Sequence, residues 1–123
     1  FNNGTIAWTD WNILLDETGG PNHVKNFCFA PVHADTRTGE LIYTNAYYYI
    51  GHFSKFIQAG AKRISAAASR SQLLTTAFQN PDGSIAVIVM NQTAKQTPFY
   101  VWINGKAVAT NALPHSINTY LIK

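Results

Sequence analysis

Trp8-Thr9-Asp10-Trp11-Asn12 is the stretch that decides how this chain folds, together with Gly19-Gly20-Pro21-Asn22 and Gly51-His52-Phe53-Ser54-Lys55-Phe56-Ile57. Two tryptophans flank an aspartate just after a short β-forming run at residues 5–7. The face of an indole ring suits the apolar C–H face of a pyranose, and nearby amide and carboxylate groups suit its hydroxyls. The pattern is therefore typical of a sugar-binding surface.

The three motifs, in this order, resemble glycoside hydrolase family 30, and within it the glucosylceramidase (acid β-glucosidase) branch. The resemblance runs from Ile6 to the C-terminus, through Asn80-Pro81-Asp82-Gly83-Ser84 and the closing Ser116-Ile117-Asn118-Thr119-Tyr120-Leu121. It implies a retaining β-glycosidase that acts on β-glucosides, with glucosylceramide as the leading substrate. It also implies that this chain is the C-terminal part of the enzyme, and that the two catalytic glutamates lie on earlier barrel strands outside it.

The order of local patterns predicts two parts. Residues 5–7 are expected to be a strand and residues 8–26 the loop after it. Residues 45–56, where apolar and aromatic residues recur every three or four positions, are expected to form an amphipathic helix. A strand, a loop and a helix make one βα unit of a (β/α)₈ barrel, and the resemblance implies that it is the last one. We therefore assign residues 1–60 to the C-terminal end of the TIM barrel.

The hydrophobic period changes after residue 61, and an all-β antiparallel sandwich is expected over residues 61–123. Short runs separated by turn residues predict its strands, at residues 63–68, 73–79, 85–90, 97–103, 106–109 and 116–122. Asn80-Pro81-Asp82-Gly83-Ser84 and Asn104-Gly105 are expected to be hairpin turns. The run at 85–90 is almost continuously apolar, which predicts a central strand covered on both faces. The family places further strands of this sandwich near the N-terminus of the enzyme.

Substrate binding is assigned by the resemblance to two residues. Trp11 is expected to be an apolar wall against the sugar, and Asn26 to pair with its hydroxyls. From the residues alone, a rim or core aromatic for Trp11 and a turn residue for Asn26 remain open. His23 stands where relatives commonly have tryptophan, which leaves the outer rim of the pocket, and the aglycone preference, undefined.

No catalytic residue is expected in this segment. A retaining glycosidase needs two carboxyl groups about 5–5.5 Å apart, and the six acidic residues form no convincing pair on two strand ends. Asp10 is accordingly interpreted as a structural residue that orients its loop. The four histidines show no metal-ligand spacing, and His52 is expected to be a packing or capping residue on the helix. The sequence predicts neither a metal nor a cofactor.

Composition excludes several other classes of protein. Charged residues make up only 12% of the chain and the net charge of +3 is scattered, so no nucleic-acid partner is expected. The single cysteine, Cys28, excludes an internal disulfide, and its phenylalanine neighbours predict a buried thiol. No apolar run approaches the ~20 residues of a membrane span, so membrane contact is expected only through a lipid substrate. Expected partners are the β-glucoside substrate and the rest of the barrel.

Two alternatives remain open. The chain could be a stand-alone carbohydrate-binding β module, for which an exposed aromatic strip containing Tyr100 and Trp102 would be evidence, or a purely structural interaction domain. Phe1 is not a natural start, so targeting information could have preceded it, and the resemblance favours a secreted or lysosomal protein. Asn3-Gly4-Thr5 and Asn91-Gln92-Thr93 are potential glycosylation sites in a secretory protein.

Overall fold

The computed structural model describes residues 1–123, which form nine strands and one helix. The strands are β1 (Leu14–Asp16), β2 (Val32–Asp35), β3 (Glu40–Tyr43), β4 (Lys62–Ile64), β5 (Leu73–Gln79), β6 (Ile85–Asn91), β7 (Thr97–Ile103), β8 (Lys106–Ala112) and β9 (Ser116–Ile122), and the helix is α1 (Asn45–Ser54). The chain divides into two units: one contains Asn3–Gly51, and the other contains Phe1–Asn2 and His52–Lys123.

The first unit contains a three-stranded sheet in the order β1-β2-β3. β1 runs parallel to β2, with Leu14 opposite Val32, and β2 runs antiparallel to β3, with Asp35 opposite Glu40. The sequence analysis did not predict these strands, because each is only three or four residues long and all three carry polar residues. Pairing between distant segments stabilises them, rather than local propensity.

The strand expected at residues 5–7 is absent from this structure, so that prediction is wrong. These residues have no hydrogen-bonded neighbour strand, and the Ile6 side chain is exposed. A strand is stable only where neighbouring strands pair with its backbone N–H and C=O groups. This chain contains no strand that pairs with residues 5–7, and its one parallel ladder lies further along, between β1 and β2.

The expected helix is present over Asn45–Ser54, two residues shorter than predicted at its C-terminal end. No helical residue is buried, and Tyr47, Tyr48 and Tyr49 remain about half-exposed. The first helical turn closes with a bond from the Tyr47 N–H to the Thr44 carbonyl, at 3.1 Å. The aromatic side of the helix is therefore poorly covered within this chain.

The second unit is built on a four-stranded antiparallel sheet in the order β4-β5-β6-β9. β6 pairs along its whole length with β5 on one side and with β9 on the other. On one face, Val87 and Val89 contact the core beneath β7 and β8, and on the other Ala86 and Ile88 are also buried. The prediction of a central strand covered on both faces is confirmed.

The strand bounds were predicted closely for four of the five seven-residue strands, with β8 as the exception. β5 and β9 begin and end where expected, and β6 extends one residue further. β8 continues to Ala112, beyond the expected end at residue 109, because it pairs with all of β7. The strand expected over 63–68 was wrong beyond Ile64, since only Lys62–Ile64 finds partners on β5.

Both predicted hairpin turns are confirmed. Asn104 and Gly105 join β7 to β8 and both have positive φ, at 51° and 76°, as a two-residue hairpin of the I′ type requires. Asn80 closes the β5–β6 turn: its N–H donates to the Ser84 carbonyl, and its side chain donates to Ser84 Oγ. The same side chain accepts from the Gln58 N–H at 2.9 Å and donates to the Phe56 carbonyl at 3.0 Å, which fixes the segment after the helix.

The two sheets of the second unit are unequal, because β7 and β8 alone face the four-stranded sheet. A groove of about 1010 Å³ runs between the sheets. Its floor carries core residues such as Val87 and Val89, and Phe99 and Val101 of β7 reach toward them from the other side. The sandwich is therefore only partly filled by the residues of this chain.

Asn91, at the end of β6, is fully buried with 0% exposure. Its Nδ2 donates to the carbonyls of Lys95, Ala112 and Leu113, at 2.8, 3.3 and 2.9 Å. Its Oδ1 accepts from the N–H and the hydroxyl of Thr93. In the folded protein this potential glycosylation site is inaccessible, whereas Asn3 is exposed.

We expect Asn91→Asp to destabilise the full-length protein by roughly 3–5 kcal/mol, because a buried carboxylate would face three carbonyl oxygens without a partner. Gln92→Glu is the matched control, since it adds the same charge at an exposed side chain next to Asn91. Chemical denaturation of both variants checks the prediction. Equal stability of the two variants would contradict the role assigned to the Asn91 side chain.

Candidate functional site

The loop between β1 and β2 begins with a turn organised by the Asp16 carboxylate. Asp16 Oδ1 accepts from the N–H and the hydroxyl of Thr18, at 2.9 and 2.6 Å, and from the N–H of Gly20 at 2.8 Å. These bonds, the Thr18 hydroxyl foremost, lower the pKa of Asp16 below its usual value. The carboxylate is therefore ionised at neutral pH and holds the turn closed.

Gly19 allows the loop to cross over itself. Its φ is +76°, and a Cβ added there would lie 2.4 Å from the backbone nitrogen of Cys28 and 2.6 Å from the Cys28 carbonyl oxygen. The Cys28 N–H donates to the Gly19 carbonyl at 3.3 Å. Only glycine combines this backbone conformation with so close an approach.

Asn22 braces the tip of the loop. Its Nδ2 donates to the Gly19 carbonyl at 3.1 Å and to the Asn26 carbonyl at 2.7 Å, and its Oδ1 accepts from the Val24 N–H at 3.2 Å. One amide thus connects both sides of the loop through its donors and its acceptor. The sequence analysis treated Asn22 only as part of a turn motif and missed this role.

Asn26 lies on the rim of a small polar pocket of about 330 Å³. Five other residues of the loop complete the lining: Thr18, Gly20, Pro21, Asn22 and Lys25. The Asn26 side chain is exposed, and its Oδ1 is 3.8 Å from the thiol of Cys28. The pocket presents amide and hydroxyl groups of the kind that recognise polar ligands.

Trp11 is 76% exposed and does not line this pocket. Trp8 is 73% exposed, so the indole rings of both tryptophans are open to solvent. The backbone N–H of Trp11 donates to Asp10 Oδ1 at 2.9 Å. Asp10 was expected to orient its loop, and this bond lies within that loop. The structure therefore does not bring Trp11 and Asn26 into one pocket within this chain.

The other acidic residues near the loop are occupied by structural bonds. Glu17 accepts from the N–H and the hydroxyl of Thr36, and the backbone N–H of Thr36 is the main reason that the Glu17 pKa is lowered. The Arg37 guanidinium donates to both oxygens of Asp35, at 3.1 and 2.9 Å, and lowers the Asp35 pKa to about 2. None of these carboxyl groups has the raised pKa of a general acid.

Two further expectations concern Cys28 in the loop and His52 on the helix. Cys28 is half-buried rather than buried, since its neighbours Phe27 and Phe29 are themselves largely exposed. His52 donates to or accepts from the Thr119 hydroxyl at 2.9 Å, and burial lowers its pKa. No group of three or more His, Cys, Asp or Glu residues has an arrangement that could hold a metal ion.

His33 is the residue that sequence reasoning passed over. It is 6% exposed and its two ring nitrogens contact Ala30 and Asp16, at the two ends of the loop. The sequence analysis considered it only among the four histidines without metal-ligand spacing, because its partner Asp16 is 17 positions away. The sequence contained no local signal for these contacts.

Comparison with known proteins identifies the family. Residues 1–57 match the Glycosyl hydrolase family 30 TIM-barrel domain, and residues 60–120 match the Glycosyl hydrolase family 30 beta sandwich domain. The chain belongs to glycosyl hydrolase family 30. The expected fold class, the end of a TIM barrel followed by an all-β antiparallel sandwich, is confirmed.

Similar proteins include two glucosylceramidases. The lysosomal acid glucosylceramidase of Mus musculus is 39% identical over 117 residues, which cover 94% of this chain and 23% of that protein. The putative glucosylceramidase 1 of Caenorhabditis elegans is 36% identical over 127 residues, which cover 98% of this chain and 24% of that protein. The chain thus spans about a quarter of the length of these relatives.

Solved structures agree with this placement. SrfJ from Salmonella typhimurium superposes with a TM-score of 0.86 at 33% identity, over 91% of this chain and 25% of that one. The endo-β1,6-glucanase BT3312 superposes with a TM-score of 0.84 at 27% identity, over 91% of this chain and 26% of that one. Within the chain, α1 is too short to cross a bilayer, and no other helix is present.

We expect Gly19→Ala to destabilise the loop by more than about 3 kcal/mol, because the new methyl group would overlap the Cys28 backbone in addition to the cost of its positive φ. Gly39→Ala is the matched control, since Gly39 has φ +78° and open space around it. The control should cost only about 1–2 kcal/mol. Thermal unfolding of the two full-length variants, side by side, measures the difference, and a smaller loss for Gly19→Ala would contradict the crossing.

Proposed function

We propose that the full-length protein is a retaining β-glycosidase that hydrolyses β-glucosides, with glucosylceramide as the leading substrate. This segment contributes part of the sugar pocket through Trp11 and Asn26, together with the accessory β-sandwich. The observation that carries the proposal is the continuous family match over residues 1–57 and 60–120, with glucosylceramidases among the similar proteins.

The catalytic glutamates belong upstream of this segment in the proposal. A retaining mechanism requires a nucleophile and an acid/base carboxyl group about 5–5.5 Å apart. The carboxylates of Asp16, Glu17 and Asp35 are each committed to local hydrogen bonds that lower their pKa. A carboxylate used in this way is a poor proton donor near neutral pH, which supports a binding role for the segment rather than a catalytic one.

The exposed state of Trp11 and Asn26 supports their assignment to the substrate. Both residues lie in the part of the chain that matches the TIM-barrel domain, and in enzymes of that fold the loops at one end of the barrel carry the ligand-binding residues. An indole left open to solvent offers a stacking face for a sugar ring, and a pocket-lining amide offers both a donor and an acceptor to its hydroxyls. In the full-length enzyme, the remainder of the barrel completes the pocket.

The proposed compartment is secretory or lysosomal, by similarity to the mouse enzyme that is named lysosomal. Membrane contact in this proposal comes through the lipid part of the substrate. The partners of the segment are the β-glucoside and the rest of the barrel, and no nucleic acid is included.

A second candidate, a carbohydrate-binding β module, has one specific observation in its favour. Tyr100 and Trp102 are 72% and 75% exposed on the outer face of β7, in register with the small residues Ala109 and Ala107 of β8. Such a flat aromatic strip suits a sugar chain. Against a stand-alone module is the open groove of about 1010 Å³, because the packed layers of a complete domain leave few voids larger than a water molecule. The groove supports a larger protein whose other strands fill it.

Hydrolysis of a panel of chromogenic β-glycosides, and of glucosylceramide in detergent micelles, tests the proposal with the full-length protein. We expect β-glucosides to be cleaved with retention of the anomeric configuration, and the 123-residue segment alone to be inactive, because it lacks the carboxyl pair. Turnover by the purified segment would make Asp10 a catalytic candidate. Sugar binding by the segment without any hydrolysis by the full-length protein would favour the module.

We expect Trp11→Ala in the full-length enzyme to lower kcat/KM by roughly 30–150-fold, equivalent to about 2–3 kcal/mol of lost stacking in the transition state. Trp102→Ala is the control, since Trp102 is equally exposed but lies on the sandwich. It should change kcat/KM by less than about threefold. Steady-state kinetics on a soluble β-glucoside checks both, and equal losses would contradict the placement of the pocket at Trp11.

A further inference from the structure

The side-chain amide of Asn22 is bound on all sides by the main chain of its own loop. Its Nδ2 donates to two carbonyl oxygens, that of Gly19 at 3.1 Å and that of Asn26 at 2.7 Å. Its Oδ1 accepts from the Val24 N–H at 3.2 Å. Because a carbonyl can only accept and a backbone N–H can only donate, these partners fit the amide in one orientation alone.

The bond to Asn26 is the shortest of the three, and it holds the main chain of the residue proposed to bind the sugar. A further bond holds the chain just after Asn26, where the Cys28 N–H donates to the Gly19 carbonyl at 3.3 Å. The same Gly19 carbonyl accepts from Asn22, so the two bonds meet at one oxygen atom. The main chain of Asn26 is therefore supported on both sides through Asn22 and Gly19.

The side chain of Asn26 has little support of its own. It is exposed, and the 3.8 Å contact between its Oδ1 and the Cys28 thiol is a weak hydrogen bond. Its amide is thus available to a ligand in the small polar pocket that it lines. The direction in which the amide points follows from the main chain to which it is attached.

Lys25 shows why this main chain needs support. Its φ is +54°, in the left-handed region that is unfavourable for a residue with a Cβ atom. The Asn22 bonds to the Val24 N–H and the Asn26 carbonyl enclose Lys25 and offset this cost. Without these bonds we expect the main chain at Lys25 to relax, and Asn26 is the next residue to move.

We propose that Asn22 is a positioning residue for substrate recognition: its amide holds the main chain of Asn26 so that the Asn26 side chain meets a hydroxyl group of the sugar. The proposal rests on the proposed function, which assigns Asn26 to the sugar. Asn22 acts through Asn26 rather than on the substrate, because both of its Nδ2 hydrogens are donated to main-chain carbonyls.

Asn22→Asp isolates the two donated bonds. The new side chain has nearly the same size and keeps an acceptor for the Val24 N–H, but it places a carboxylate oxygen against the carbonyls of Gly19 and Asn26. Asn104→Asp is the matched control. It adds the same charge at an exposed residue of the β7–β8 turn, and Asp-Gly forms the same type of turn as Asn-Gly.

In the full-length enzyme we expect Asn22→Asp to raise KM for a soluble β-glucoside by roughly three- to tenfold, as the loss of one neutral hydrogen bond predicts. The value of kcat should change by less than about twofold, because a contact made equally in the ground state and the transition state affects binding alone. Asn104→Asp should leave both constants as they are in the wild type. An unchanged KM in Asn22→Asp overturns the proposal.

A double-mutant cycle separates positioning from a general weakening of the loop. In an Asn26→Ala background the contact to be positioned is already lost, so Asn22→Asp should then change KM by less than about twofold. Losses that multiply in the double variant overturn the proposal. If Asn22→Asp does not fold, Asn22→Ala replaces it in the cycle, because it breaks the same bonds without adding a charge.

Hydrogen exchange at neutral pH tests the support of the loop without reference to catalysis. We expect the Cys28 amide to exchange about threefold faster or more in full-length Asn22→Asp than in the wild type, because Asn22 no longer holds its acceptor, the Gly19 carbonyl. Equal exchange in the two proteins overturns the proposal. If the wild type hydrolyses no glycoside, the proposed function fails and the sugar role of Asn22 fails with it, whereas the exchange result still judges the support of Asn26.

Discussion

Pairing of β6 on both of its edges is the constraint on which the sandwich depends. Each of its seven residues lies opposite a residue of β5 and a residue of β9, so its backbone groups are satisfied entirely by protein. Both faces of the strand are covered as well, and all of its residues except the last are apolar. That last residue is Asn91. Its side-chain amide donates to the carbonyls of Lys95 and Leu113 and so fixes these two segments to the end of the strand.

The loop between β1 and β2 is organised on a different principle, because it has almost no apolar interior. Its conformation rests on a close backbone crossing at Gly19, on the carboxylate of Asp16 and on the amide of Asn22. Each of these acts on backbone N–H or C=O groups that no strand or helix satisfies. A loop fixed in this way can present polar side chains to a ligand without hydrophobic cover, which suits a site that recognises hydroxyl groups.

What could be predicted from sequence follows from the range of the interactions. The long strands β5, β6, β7 and β9 and the turn at Asn104-Gly105 carry their pattern locally, and their positions were predicted closely. The strands β1 to β3 form because separate segments of the chain pair with one another. Local propensity does not predict this pairing. The strand predicted at residues 5–7 is absent for the complementary reason. The local pattern is that of a strand, but this chain contains no neighbouring strand to pair with it.

The same distinction applies to the candidate site. Trp11 and Asn26 were proposed through a family resemblance carried by short motifs, and their exposure agrees with a role in binding. The contacts of His33 could not be predicted, because its two ring nitrogens meet the Ala30 N–H and the Asp16 carbonyl at opposite ends of the loop. Such information appears only when the two ends of the loop are brought together.

Side-chain amides and imidazoles both hold the turns of this protein through hydrogen bonds to other groups of the chain. Asn22, Asn80 and Asn91 each use a donor and an acceptor at once, and none of them titrates. The two imidazole braces differ in their surroundings: burial lowers the pKa of His52, so its bond to Thr119 in the sandwich survives into more acidic solution. The ring of His33 contacts the Ala30 N–H and the Asp16 carbonyl, which lie at the two ends of the loop. In the sandwich and in the loop alike, side chains therefore bind backbone groups that no strand or helix satisfies.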